Sequence, residues 1–165
     1  MFNKGDKVVY PMHGAGIVEK IEEKEVDGKL ASYYILNIPL GNLTITVPGG
    51  KVPTLNIRHV SPKEDVMRAL DSVEKIPADL PEAWNKRYEY HVEKLKTGEL
   101  EKVIEVYLLL YFREKNKGIS TQEKKLLTNA RQIILSEIIF SHDIERKQAE
   151  AMLNNTTKRF GTDDN

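Results

Sequence analysis

The hydrophobic period of this chain changes once, near residue 61, and that change limits the fold more than any other feature. Before it, apolar residues come in short, β-branched runs broken by turn residues. Seven of the 10 glycines and four of the seven prolines lie in the first 60 positions. That pattern predicts short strands joined by tight connections. Strands are expected over residues 7–11, 16–26, 30–38, 43–47 and 56–60, with Asp27-Gly28 as a hairpin turn and Gly41-Asn42 as another. Leu43-Thr44-Ile45-Thr46-Val47 alternates strictly, so one face is buried and Thr44 and Thr46 point away from it. Five short strands in about 60 residues make a small, strongly curved sheet or barrel.

After Ser61 the period is helical. Ser61-Pro62-Lys63-Glu64 places a cap residue before a proline at the first helical position, and that helix is expected to run to about Val73. Residues 74–80, with Pro77, read as a connection, and Asp79 as a cap for a second helix over 81–97 that Gly98 ends. In the third helix Leu100, Val103, Ile104, Tyr107, Leu108 and Tyr111 form one apolar stripe. Ser120-Thr121-Gln122-Glu123 is a capping box opening a fourth helix to about Phe140. A fifth is expected over 143–153, followed by a polar, frayed tail from Asn154. The fold class is therefore α+β: a small five-stranded β unit over 1–61, an all-α unit of about five helices over 62–155, and a disordered tail over 156–165.

Charge and chemistry exclude several functions. Lys and Arg together number 25, as do Asp and Glu, so the net charge is zero and the chain is no basic coat for nucleic acid. Residues 1–60 hold seven basic and six acidic residues, so neither part is a basic module. With no cysteine there is no disulfide, thiolate nucleophile or Cys-type zinc site. His13, His59, His91 and His142 lack metal-ligand spacing. His13-Gly14-Ala15-Gly16 leads into a strand pattern, and Pro48-Gly49-Gly50-Lys51 is followed by Pro53, so neither reads as a phosphate loop, which needs a helix behind it. No catalytic constellation emerges. The expectation is a protein that is not an enzyme, with no cofactor, metal, small-molecule substrate or membrane partner. The opening residues have no secretory apolar core, and no apolar run approaches the roughly 20 residues of a membrane span, so a cytoplasmic location is expected.

Gly5-Asp6-Lys7-Val8-Val9-Tyr10-Pro11-Met12-His13-Gly14-Ala15-Gly16-Ile17-Val18 resembles the opening of the CarD/CdnL family of bacterial transcription regulators. Leu43-Thr44-Ile45-Thr46-Val47-Pro48 fits the family's final long strand. Trp84-Asn85-Lys86-Arg87-Tyr88, Leu95-Lys96-Thr97-Gly98, Gly118-Ile119-Ser120, Glu123-Lys124 and Ala130-Arg131-Gln132-Ile133 are similar to its helical part. The matches run in order from about residue 5 to 140. The opening also occurs in transcription-repair coupling factors, but the chain has no helicase motif. The resemblance implies a Tudor-like barrel that binds the β subunit of RNA polymerase. It also implies a helical domain that contacts promoter DNA, a Trp wedged into the minor groove at the upstream edge of the transcription bubble, and association with the nucleoid through polymerase.

The resemblance assigns Trp84 as the wedge, with Lys86 and Arg87, and further along Lys124 and Arg131, as contacts to the DNA backbone. By pattern alone, Trp84 opens an apolar stripe with Tyr88, Val92 and Leu95 and reads as core, and the four cations read as ordinary surface charge. Glu89 stands where the family commonly carries a basic residue. Lys24, Val26 and Thr46 are the candidates for polymerase contact through an extended β edge. Thr46 replaces an Arg of some members and reads otherwise as a plain outward-facing strand residue. The competing function is a polymerase-binding adaptor with no direct DNA contact.

Overall fold

The computed structural model describes residues 1–73, 76 and 80–163. The expected connection over 74–80, with Pro77 and its Asp79 cap, lies largely outside the described residues. Five antiparallel strands come first: β1 (Lys7–Tyr10), β2 (Gly14–Val26), β3 (Lys29–Ile38), β4 (Leu43–Pro48) and β5 (Arg58–His59), in the spatial order β4-β3-β2-β1-β5. Five helices follow: α1 (Lys63–Asp71), α2 (Trp84–Lys96), α3 (Leu100–Asn116), α4 (Thr121–His142) and α5 (Arg146–Asp163). This is the α+β class expected.

Local chemistry sets the strand connections. Asp27 and Gly28 both take positive φ, 53° and 78°, the backbone a two-residue hairpin between right-twisted strands requires. Gly16 is needed for close approach: a Cβ there would lie 2.2 Å from the carbonyl oxygen of Asn37 on β3. The β2–β3 register shifts just beyond it, between Val18 and Lys20. Such a bulge bends the strand and strengthens its twist. One side of the sheet closes over Phe2, Val8, Val18, Tyr34, Leu36, Val47, Val52 and Ile57. The alternation expected along β4 is seen in buried Val47 beside exposed Thr44 and Thr46.

The helical part is built around α3. Its expected stripe is buried up to Leu108, with Tyr111 half-buried at its end, but Glu105, Val106, Leu109 and Leu110 are buried too, so α3 is covered nearly all round by its neighbours. The Ser120 capping box forms as the sequence indicates. The tail expected to fray is instead the second half of α5, which continues to Asp163. Thr156 and Thr157 bury because they have partners: Thr156 Oγ1 donates to the Leu70 carbonyl at 3.1 Å and Thr157 Oγ1 to the Leu153 carbonyl at 2.9 Å, while the exposed Arg159 reaches the same Leu70 carbonyl at 2.8 Å. The Leu70 carbonyl belongs to the last turn of α1, where no intrahelical donor is available.

Sheet and helices are joined through α4. The Ala15 N–H donates to Ser136 Oγ at 3.0 Å, Lys7 Nζ to the Phe140 carbonyl at 2.9 Å, and Asn129 to the Met12 carbonyl at 3.2 Å. At the centre, Arg58 on β5 grips Glu137 of α4 through two hydrogen bonds of 2.7 Å and donates to the Gly98 carbonyl between α2 and α3. Glu137 also accepts from the Ser61 N–H at 2.9 Å.

Candidate functional site

Trp84 is the first residue of α2 and is 47% exposed. Of the apolar stripe read from the sequence, Tyr88, Val92 and Leu95 pack in the helical core and Trp84 stands at its outer end. The core reading of Trp84 is therefore not what the fold does with it. Lys86, two residues on, is exposed and makes no ion pair among the described residues. Glu89 is exposed on the same helix.

Arg87 does not behave as the sequence reading expected. It is only 4% exposed, and its guanidinium pairs with the fully buried Glu123 through Nε and Nη2, both at 3.1 Å. Nη1 donates to the carbonyls of Pro81, at 3.3 Å, and Glu82. Four of the five N–H donors a guanidinium owns are thus used inside the protein. Arg87 is corrected from a DNA-backbone contact to an internal tie between the turn before Trp84 and the start of α4. The helix periodicity shows why: Arg87 lies four and eight residues before the buried His91 and Leu95, on the inward side of α2, and a buried guanidinium needs a carboxylate.

Glu123 holds the other end. It is the third residue of α4 and closes the capping box: its Oε1 accepts from the Ser120 N–H at 3.0 Å, and its own N–H donates to Ser120 Oγ at 3.1 Å. Burial alone would raise its pKa, but the hydrogen bonds from Arg87 and Ser120 and the Arg87 charge outweigh burial and hold it below the usual carboxylate value. The sequence shows the cap, but nothing in it shows that the same carboxylate also meets Arg87.

Lys124 and Arg131 line one shallow groove between α3 and α4, together with Tyr107, Tyr111 and Gln132. Lys124 is exposed, whereas Arg131 is half-buried and paired with Glu150 of α5 at 3.4 Å. The fold thus brings Lys124 and Arg131 together, and the Arg87–Glu123 pair connects the start of α4 to the helix carrying Trp84 and Lys86.

The candidate polymerase contacts lie on the sheet. Register pairs Lys24 with Ala31, Val26 with Lys29, and Thr46 with Ile35. Alternation along the strands then puts Lys24, Val26 and Thr46 on one face, with Tyr33 between them. Lys24 Nζ sits 5.4 Å from the centre of the Tyr33 ring and 3.8 Å from Glu22, which also pairs with Lys20 at 3.0 Å. β4 is an outer strand, so among the described residues the edge next to Thr46 has no partner strand. Beyond the bulge the β2–β3 hairpin exposes Ile21, Val26 and Leu30.

The two parts of this geometry each have relatives. A family model for the CarD-like/TRCF RID domain matches residues 2–61, and a model for the CarD C-terminal domain matches residues 65–154. The chain is 36% identical over 151 residues, 92% of this chain and 99% of the relative, to a Bacillus subtilis (strain 168) protein named "Putative transcription factor YdeB". Among the described residues no helix is long and apolar enough to cross a membrane. Two matched domains in the family's order, with a relative aligned across both, show that the chain belongs to the CarD/CdnL family of transcription-related proteins.

Proposed function

We propose that this protein is a non-enzymatic transcription regulator that binds the β subunit of RNA polymerase through its sheet and stabilises the open promoter complex with Trp84. The observation that carries the reading is a single tryptophan, half exposed, at the first residue of a helix whose remaining apolar residues are core. A flat ring in that position can cover an unstacked base step at the upstream edge of the bubble from the minor-groove side, where apolar wedges are used to hold a kink. Lys86 and Lys124 supply phosphate contacts, and Arg131 a weaker one because Glu150 shares its charge.

On the polymerase side, the unpaired edge of β4 offers backbone hydrogen bonds to a strand of the β subunit. Lys24, Val26 and Thr46 stand on the face beside it and give that contact its side-chain component. The polymerase-binding role is also what a match to the RID domain supports. A protein working this way resides in the cytoplasm, on the nucleoid, wherever polymerase engages promoters.

Trp84→Ala tests the mechanism. With polymerase binding and folding retained, the open-complex lifetime should shorten about tenfold, equivalent to about 1.4 kcal/mol. An unchanged lifetime rules out the wedge and leaves a polymerase-bound adaptor without DNA contact.

A further inference from the structure

α2 starts without a side-chain cap, because Ala83 provides none. Its entry is held from inside the helix instead. The Arg87 guanidinium reaches back to the carbonyls of Pro81 and Glu82, the two residues before Ala83 and Trp84, while Glu123 fixes its other donors. Glu123 is in turn fixed by the Ser120 N–H. The pair is buried on both sides, at 4% and 0% exposure, so solvent does not loosen it. A two-point guanidinium–carboxylate pair also has a defined relative orientation, unlike a single charge contact. The chain path into Trp84 is thus set by a carboxylate on another helix.

We propose that Glu123 is a positioning residue for Trp84, acting through Arg87 on the Pro81–Glu82 backbone, so that the start of α4 fixes the attitude of the exposed ring. The inference rests on the wedge reading of Trp84 for its consequence in transcription, but not for its structural content. It separates two roles within one short motif: Trp84 meets the DNA, and Arg87, three residues on, serves only to aim it.

Trp84 is the only tryptophan, so fluorescence of the full-length chain reports this position alone. The informative variant is Arg87→Met with Glu123→Gln. It leaves no buried charge unpaired, retains a capping-box residue at position 123, and removes the donor to both carbonyls. The expected result is a folded protein whose Trp84 emission loses anisotropy, with acrylamide quenching raised about twofold as the ring gains fast local motion. It should pull down polymerase like the parent and shorten the open-complex lifetime about tenfold. Should that variant fail to fold, Arg87→Lys keeps a cation beside Glu123 but lacks the fork to reach both carbonyls, and the same readouts apply. Parental anisotropy and quenching in either folded variant would overturn the proposal. So would a loosened Trp84 with a parental lifetime, if Trp84→Ala does shorten the lifetime. If Trp84→Ala has no effect on the lifetime, the wedge reading fails, and the fluorescence result alone decides whether Glu123 positions the ring.

Discussion

His91 shows how one residue can couple this fold to pH. It lies on α2, fully buried, with neither ring nitrogen hydrogen-bonded among the described residues and the Tyr90 ring edge-on at 5.6 Å. Burial pushes its pKa down to about 4, and the charges nearby act in opposite directions, Glu123 raising it and Arg87 lowering it. The native state therefore holds a neutral imidazole, while the unfolded chain takes up a proton near its ordinary pKa of about 6.5. A depressed folded-state pKa gives stability that is complete above about 6.5 and lost as the pH falls toward about 4. The loss over that window should be on the order of 2–3 kcal/mol. Urea denaturation at a series of pH values measures it. His91→Phe, which keeps a ring of similar size and no titrating group, should flatten the profile between those limits, and an unchanged slope would assign the effect to other groups. Trp84 is the opposite case on the same helix: a half-exposed ring contributes little to folding, so Trp84→Ala should leave thermal stability nearly unchanged.

Features governed by neighbouring residues could be read along the chain, at the scale of elements. The Asp27-Gly28 turn, the Ser120-to-Glu123 box and the alternation of β4 each depend on residues within a few positions of one another; the first two form as expected, and β4 alternates from Thr44 to Val47 while Leu43, at the strand's start, is exposed. Three features depend on distant partners and could not be read. Arg87 looked like surface because its carboxylate lies 36 residues away. α3 looked like a one-sided helix because its charged and aromatic residues hid how many neighbours enclose it. The end of α5 looked frayed because Thr156, Thr157 and Arg159 are polar, and composition does not reveal that α1 leaves a carbonyl free for Thr156 and Arg159, or that Thr157 bonds back to the Leu153 carbonyl. Arg159 also pairs with Asp71 at 2.9 Å, and Phe160 packs on Phe112 with ring centres 5.2 Å apart. Truncation after Asn155 should therefore cost about 2–4 kcal/mol, since it unpairs the Leu70 carbonyl and uncovers Phe112. Thermal unfolding of the truncated chain checks this, and a melting temperature equal to that of the full chain would return the segment to a dispensable tail.

Across the whole molecule, zero net charge and an internal Arg87 leave few cations to meet DNA. With two or three phosphate contacts, the slope of log affinity against log salt should be no steeper than about −3, and free duplex should bind weakly. On the proposed function, polymerase supplies the local concentration that a neutral protein cannot generate for itself. On that reading, tethering places a ring at a chosen base step only if the sheet and the helices keep one relative position. Arg58 and Glu137 are the residues that can enforce it, because the pair joins β5, the α2–α3 turn and α4 at a single point. Glu137→Ala would leave the Arg58 charge without its partner and the Ser61 N–H without an acceptor. Because the Arg58 side chain is 28% exposed, water recovers part of the loss, and the cost should be roughly 2–3 kcal/mol rather than the full penalty of a sealed pair. The functional effect should exceed that of an equal destabilisation elsewhere. Polymerase pull-down should persist, since the β4 edge is untouched, while the open-complex lifetime falls because Trp84 no longer has a fixed position relative to that edge. A control variant of matched stability, Leu153→Ala in the helical core, separates the two effects: if both shorten the lifetime equally, the junction contributes stability alone.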